Sequence, residues 1–143
     1  MTIVLISASV MGTADGVAND LAAHLNSLGI QVTRSSALEP WLADSESRLV
    51  VVTSNTGAGD LPSPANTIHM ELVTNYPRIG GRGFAIVNLG DSSYMTFGEA
   101  GQKLHDAFMD LGAEPFADML TLDACSGEDP VQLTIQWWDE QTQ

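Results

Sequence analysis

Positive charge is what this sequence has least of. Five Lys and Arg stand against 18 Asp and Glu in 143 residues, a net charge of −13 at pH 7. A field of that sign repels nucleic acid and anionic membranes, which argues against both as partners, and it steers basic proteins towards the chain. Solubility alone is the blander reading of the same acidity. Cysteine is nearly missing as well: Cys125 stands alone, so no internal disulfide can form, in agreement with a reducing compartment. It has no base beside it in sequence and is read as inert. Long hydrophobic runs are absent, none approaching the roughly 18 residues that a membrane span needs. Residues 2–6 are too short for the apolar core of a signal peptide and lack a basic flank. The expectation is a cytoplasmic protein of one domain over residues 1–143. Its three histidines, His24, His69 and His105, fall on three different predicted helices without ligand spacing, so no metal site is indicated.

What the chain does have is apolar residues, 44% of the total, in short blocks separated by helical patterns. Residues 2–6 read as a buried strand without polar alternation. Val17, Leu21, Leu25 and Leu28 mark one face of a helix that Gly29 stops. A more amphipathic strand is expected over 30–34, followed by a polar connection over 37–47 that carries Trp41. A third strand covers 49–52, and Pro62 and Pro64 suit the entry of a helix over 64–76. The fourth strand covers 83–89, and Gly90 is expected to turn the chain. A helix marked by Phe97, Leu104, Phe108 and Leu111 then runs to Gly112. A fifth strand is expected over 116–122 and a last helix over 130–140, with Val131, Ile135 and Trp138 inward. Strands alternating with helices indicate an α/β fold, a parallel sheet layered by helices on both faces, and five strands favour the order 2-1-3-4-5. Trp41, Trp137 and Trp138 are read as packing residues.

In that order strands one, three and four are neighbours, so the loops after them converge on one crevice, where doubly wound folds bind ligands. The first loop runs into a helix N-terminus, whose free amides and dipole accept an anion. Ser9 and Thr13 add hydroxyls and Gly12 permits close backbone approach, but none of Arg34, Arg48, Arg78, Arg82 and Lys103 falls in this loop. A phosphate there is expected to be held by neutral dipoles. The chain has no G-x-x-x-x-G-K and no G-x-G-x-x-G after strand one, which argues against a P-loop NTPase or a dinucleotide site. A receiver domain needs carboxylates closing strands one and three, and here those strands end in Ser7 and Thr53.

Three segments, in order and spacing, resemble the flavodoxin family: Ser9-Val10-Met11-Gly12-Thr13-Ala14, then Thr53-Ser54-Asn55-Thr56-Gly57-Ala58-Gly59-Asp60, then Leu89-Gly90-Asp91-Ser92-Ser93-Tyr94-Met95-Thr96-Phe97. The likeness covers essentially the whole chain and is closest to short-chain members of the MioC-like and YqcA-like type. It implies a flavodoxin-like fold and a noncovalent FMN. Residues Ser9, Val10, Met11, Gly12, Thr13 and Ala14 correspond to the family's phosphate loop. Ser54, Asn55, Thr56 and Gly57 flank one face of the flavin. Tyr94 stacks on the other, while the backbone from Leu89 through Gly90, Asp91 and Phe97 to Gly98 meets the pyrimidine edge. A stack of this kind adds about 0.5 to 1.5 kcal/mol beyond burial. Asp91 is read equally as a turn-stabilising Asx residue. Asp123, closing strand five, is a further candidate at the flavin edge. Acidity around the flavin, from Asp60, Asp91 and the net charge, disfavours its anionic reduced form.

The chain also departs from the family pattern. Met11 and Ala14 stand where Thr is common in the phosphate loop, Thr56 stands where an aromatic or His often covers the flavin, and Gly98 replaces a frequent Cys. The resemblance implies an electron carrier with no catalytic side chains. It would take electrons from a basic-surfaced, NADPH-dependent flavodoxin or ferredoxin reductase and pass them to an acceptor redox enzyme. The departures keep open a second reading, a flavodoxin-fold protein-interaction module with weak or lost FMN binding. A third, an FMN-dependent quinone or nitro reductase, needs a substrate pocket for which the short loops offer little material.

Overall fold

A computed structural model of the protein describes residues 1–9, 12–54, 61–90, 98–124 and 126–142. The elements in chain order are β1 (Thr2–Ala8), α1 (Thr13–Ser27), β2 (Gln31–Ser35), α2 (Glu39–Ala43), β3 (Arg48–Ser54), α3 (Ala65–Asn75), β4 (Gly83–Gly90), α4 (Glu99–Asp110), β5 (Glu114–Pro115), β6 (Leu120–Asp123) and α5 (Pro130–Gln141). Every pairing is parallel, in the order β2-β1-β3-β4-β5 with β6 also paired to β4. The expected 2-1-3-4-5 sheet is therefore present.

The unbroken apolar runs of β1, β3 and β4 follow from burial on both faces. Val4, Ile6, Leu49, Val51, Phe84 and Ile86 pack with α3 and α4. The alternate residues Ile3, Leu5, Val50, Val52, Ala85 and Val87 pack with α1 and α5. Each fully buried aliphatic side chain of this kind contributes roughly 1.5–3 kcal/mol. The helix α1 buries Val17, Leu21 and Leu25, but it ends at Ser27 and leaves Leu28 53% exposed. Gly29, at φ 80°, turns the chain there, so that the Ile30 amide donates back to the Leu25 carbonyl.

Two connections differ from expectation. The polar stretch after β2 contains the short helix α2, and Trp41 on it is fully buried against Phe108, ring edge to face at 5.9 Å. Its C-terminal end is held from outside: the Arg82 guanidinium donates to the carbonyls of Trp41 at 2.6 Å and Asp44 at 2.7 Å, and lies 4.8 Å from the Trp41 ring centroid. The fifth strand, expected as one run over 116–122, is two pieces. Glu114 and Pro115 pair with Gly83 and Phe84, and Leu120 to Asp123 pair with Val87 to Gly90. Between them the Phe116 amide still donates to the Phe84 carbonyl of β4 at 3.0 Å, but Asp118 turns to α5: Trp137 Nε1 donates to its carbonyl at 2.8 Å, and its amide donates to Gln141 Oε1 at 3.1 Å. The buried residues of α5 are Thr134, Trp137 and Trp138, with Val131 and Ile135 only half-buried. All three tryptophans are core residues, as expected.

Candidate cofactor site at the carboxyl edge of the sheet

The register brings the ends of the three central strands level: Ala8 lies beside Thr53, Thr53 beside Asn88, Ser54 beside Leu89, and Gly90 beside Asp123. β1, β3 and β4 all end at this edge, at Ala8, Ser54 and Gly90. Strand β1 extends to Ala8, past the expected end at Ile6, which shortens the first loop. Ser54 Oγ donates to the Ala8 carbonyl at a long 3.5 Å, linking the first two strand ends. Gly90 is the last residue of β4 and does not itself turn the chain; the left-handed residue is Gly98, the N-cap of α4 at φ 78°. An added Cβ at Gly98 would come 3.7 Å from Thr121 Cγ2.

The start of α1 is shaped for an anion. Gly12 occupies the N-cap at φ 86°, a backbone that L side chains adopt only with strain, and among the described residues no side chain caps the helix. Thr13 is exposed, whereas Ala14 is fully buried in the core, so only the Ala14 amide can serve a ligand. Ser9 Oγ is buried without a hydrogen-bond partner among the described residues. Free helix amides, the dipole and an orphaned hydroxyl together match the donors that a phosphate ester needs. The residues present therefore fit the phosphate end of a flavin nucleotide.

Of the predicted site residues, Ser9, Gly12, Thr13, Ala14, Ser54, Leu89, Gly90 and Gly98 lie along this edge, Leu89 half-buried and Gly90 buried. Val10, Met11, Asn55, Thr56, Gly57, Asp91, Tyr94 and Phe97 lie outside the described residues, as do Asp60 and Cys125. Two residues near the edge escape sequence reasoning. Arg34 reaches from β2 to Ser7, and Asn88 is fully buried with neither end of its amide partnered among the described residues. No spacing signals either one, since both depend on strand register. An open depression of about 470 Å³ adjoins Gly98, lined by Glu99, Gln102, Met119 and Thr121. Among the described residues no group of His, Cys, Asp and Glu could hold a metal, and no helix is long and apolar enough to cross a membrane.

Comparison with known proteins decides what this edge belongs to. The flavodoxin sequence family matches residues 5–138. The chain belongs to the flavodoxin family. A cysteine variant of a flavodoxin from Pseudomonas aeruginosa superposes with a TM-score of 0.86 at 30% identity, over 98% of this chain and 95% of that one. The flavodoxin of Streptococcus pneumoniae shares the fold, with a TM-score of 0.82 at 22% identity over 99% and 97% of the two chains. The NADPH sulfite reductase flavoprotein alpha-component of Neisseria meningitidis is 36% identical over 126 residues, 85% of this chain. This flavodoxin-family chain spans about a fifth of that relative's length (21%). FMN is the family's cofactor, and the family's function is electron transport.

Proposed function

We propose that this protein binds FMN at the carboxyl edge of β1, β3 and β4 and carries electrons from a basic-surfaced, NADPH-dependent reductase to an acceptor redox enzyme. The observation that carries the reading is the uncapped N-terminus of α1, with the buried, unpartnered Ser9 hydroxyl beside it, at the point where three strand ends meet. Bound FMN supplies the redox chemistry, and the protein's work is to hold it, orient it and set the charge around it. The first-turn amides of α1 and the Ser9 hydroxyl take the phosphate. Ser54 and the strand ends at Leu89 and Gly90 border the ring. Tyr94, Thr56, Gly57 and Asp91 complete the site by family resemblance.

The name of the sulfite reductase relative supports an NADPH-linked donor, and the net charge of −13 supports a basic docking partner. A visible spectrum of the freshly purified protein, followed by FMN titration, tests the reading. Flavin bands and quenching at submicromolar FMN are expected. A colourless protein that ignores added FMN would instead support the protein-interaction module, a reading kept open by Met11 and Ala14, which bring no hydroxyl to the loop.

A further inference from the structure

Arg34 lies twenty residues beyond the phosphate loop in sequence, but strand register brings it back. Its guanidinium donates to Ser7 Oγ at 3.0 Å and to Asn19 Oδ1. Ser7 in turn donates to Asp15 Oδ1 at 2.6 Å. Ser7 is the penultimate residue of β1, Asp15 and Asn19 sit in the first two turns of α1, and Arg34 is on β2. Three elements are thus tied together immediately before and after the loop of residues 9–12. We infer that Arg34, acting through Ser7, is a positioning residue for the phosphate end of the cofactor and the source of a preference for FMN over riboflavin. The inference rests on the FMN reading above.

Four features lead there. Gly12 provides no side-chain cap for the first turn of α1, and the tether holds that turn to the sheet. Asp15 is an anion within that turn, where it competes with a phosphate for the same amides and dipole. The Ser7 hydroxyl engages that carboxylate and fixes where its charge sits. Arg34 makes no direct ion pair among the described residues; the Ser7 hydroxyl stands between its guanidinium and the Asp15 carboxylate. In a chain of net charge −13, a cation held one hydroxyl away from Asp15 offsets part of the repulsion that this carboxylate directs at a phosphate dianion. Finally, the unpartnered Ser9 hydroxyl lies two residues after Ser7, so the tether ends beside a donor still waiting for an acceptor.

The experiment is a pair of titrations, FMN and riboflavin, on apoprotein of the wild type, Arg34→Gln, Arg34→Lys and Ser7→Ala, at low and high salt, with apoprotein melting temperatures recorded alongside. The wild type is expected to prefer FMN. Arg34→Gln and Ser7→Ala should weaken FMN binding roughly tenfold and leave riboflavin affinity and melting temperature in place. Arg34→Lys should keep part of the preference through its charge, and that part should shrink as salt rises. An equal loss for both flavins, or unchanged FMN affinity in Arg34→Gln, overturns the inference while leaving the FMN reading intact. A wild type that binds neither flavin overturns the reading itself and the inference with it.

Discussion

At the scale of single residues the closest approach is between α4 and β4. A Cβ added to Gly101 would lie 2.6 Å from Asn88 Cβ and 2.7 Å from its Cγ, both on a fully buried residue in a central strand. Helix propensity alone favours Ala over Gly by about 1 kcal/mol. The contact overrules it: Gly101→Ala should destabilise the protein by about 1–3 kcal/mol, measured by urea unfolding. In a double-mutant cycle Asn88→Gly should remove most of that cost, because it removes the atoms that clash. Neither partner announces itself in the sequence. Asn88 sits inside a run that reads as apolar strand, and Gly101 inside one that reads as amphipathic helix, so only the packed arrangement reveals that each constrains the other. The proposed phosphate donors could be read as candidates for the opposite reason, since Ser9, Gly12 and Thr13 lie close together in the chain and a strand-to-helix loop needs no tertiary information to be recognised.

Secondary elements show the same division. β1, β3 and β4 could be read directly because burial on both faces forces continuous branched and aromatic residues. Helix α2 and the break after β5 could not, because side chains from distant elements create them. Arg82, on the approach to β4, replaces the missing C-terminal partners of α2 with three carbonyl contacts, to Trp41, Asp44 and, at 3.3 Å, Ser47. Arg82→Met should therefore cost about 1.5–3 kcal/mol by leaving those carbonyls without a charged donor. Near-ultraviolet circular dichroism should report loosening around Trp41. Helices α3 and α4 carry a second testable pair. Burial, and secondarily the Lys103 charge, lower the pKa of half-buried His69 below its ordinary 6.5. The native state then binds fewer protons than the unfolded chain between the lowered value and 6.5. Stability from this group is complete above that window and is lost as pH falls through it. Comparing urea unfolding of the wild type and His69→Gln across the window should show a slope that only the wild type has, and identical slopes would remove His69 as its cause.

For the molecule as a whole, 18 acidic side chains against five basic ones make the surface field the dominant long-range property. Reduction by a basic-surfaced, NADPH-dependent reductase should slow progressively with ionic strength, as the Debye length shrinks from about 10 Å at 0.1 M towards about 3 Å at 1 M. Stopped-flow rates that ignore salt would count against docking by charge. Charge excess was plain in the composition, whereas the tether from Arg34 to Ser7 needed the fold.

The interrupted fifth strand bears on how copies of this protein avoid one another. A parallel sheet exposes two rims of unpaired amides and carbonyls, each a template on which another chain can add a strand. Here one rim is two fragments, of two and four residues, separated by a stretch in which the amide and carbonyl of Asp118 are taken up by α5. Pro115 removes a further donor from the shorter fragment. On the opposite rim, β2 is five residues long and carries exposed Arg34 and Gln31. A chain that concentrates its hydrophobic residues in the long strands at the centre thus offers, among the described residues, no comparable strand at either border, which guards it against fibrous self-association.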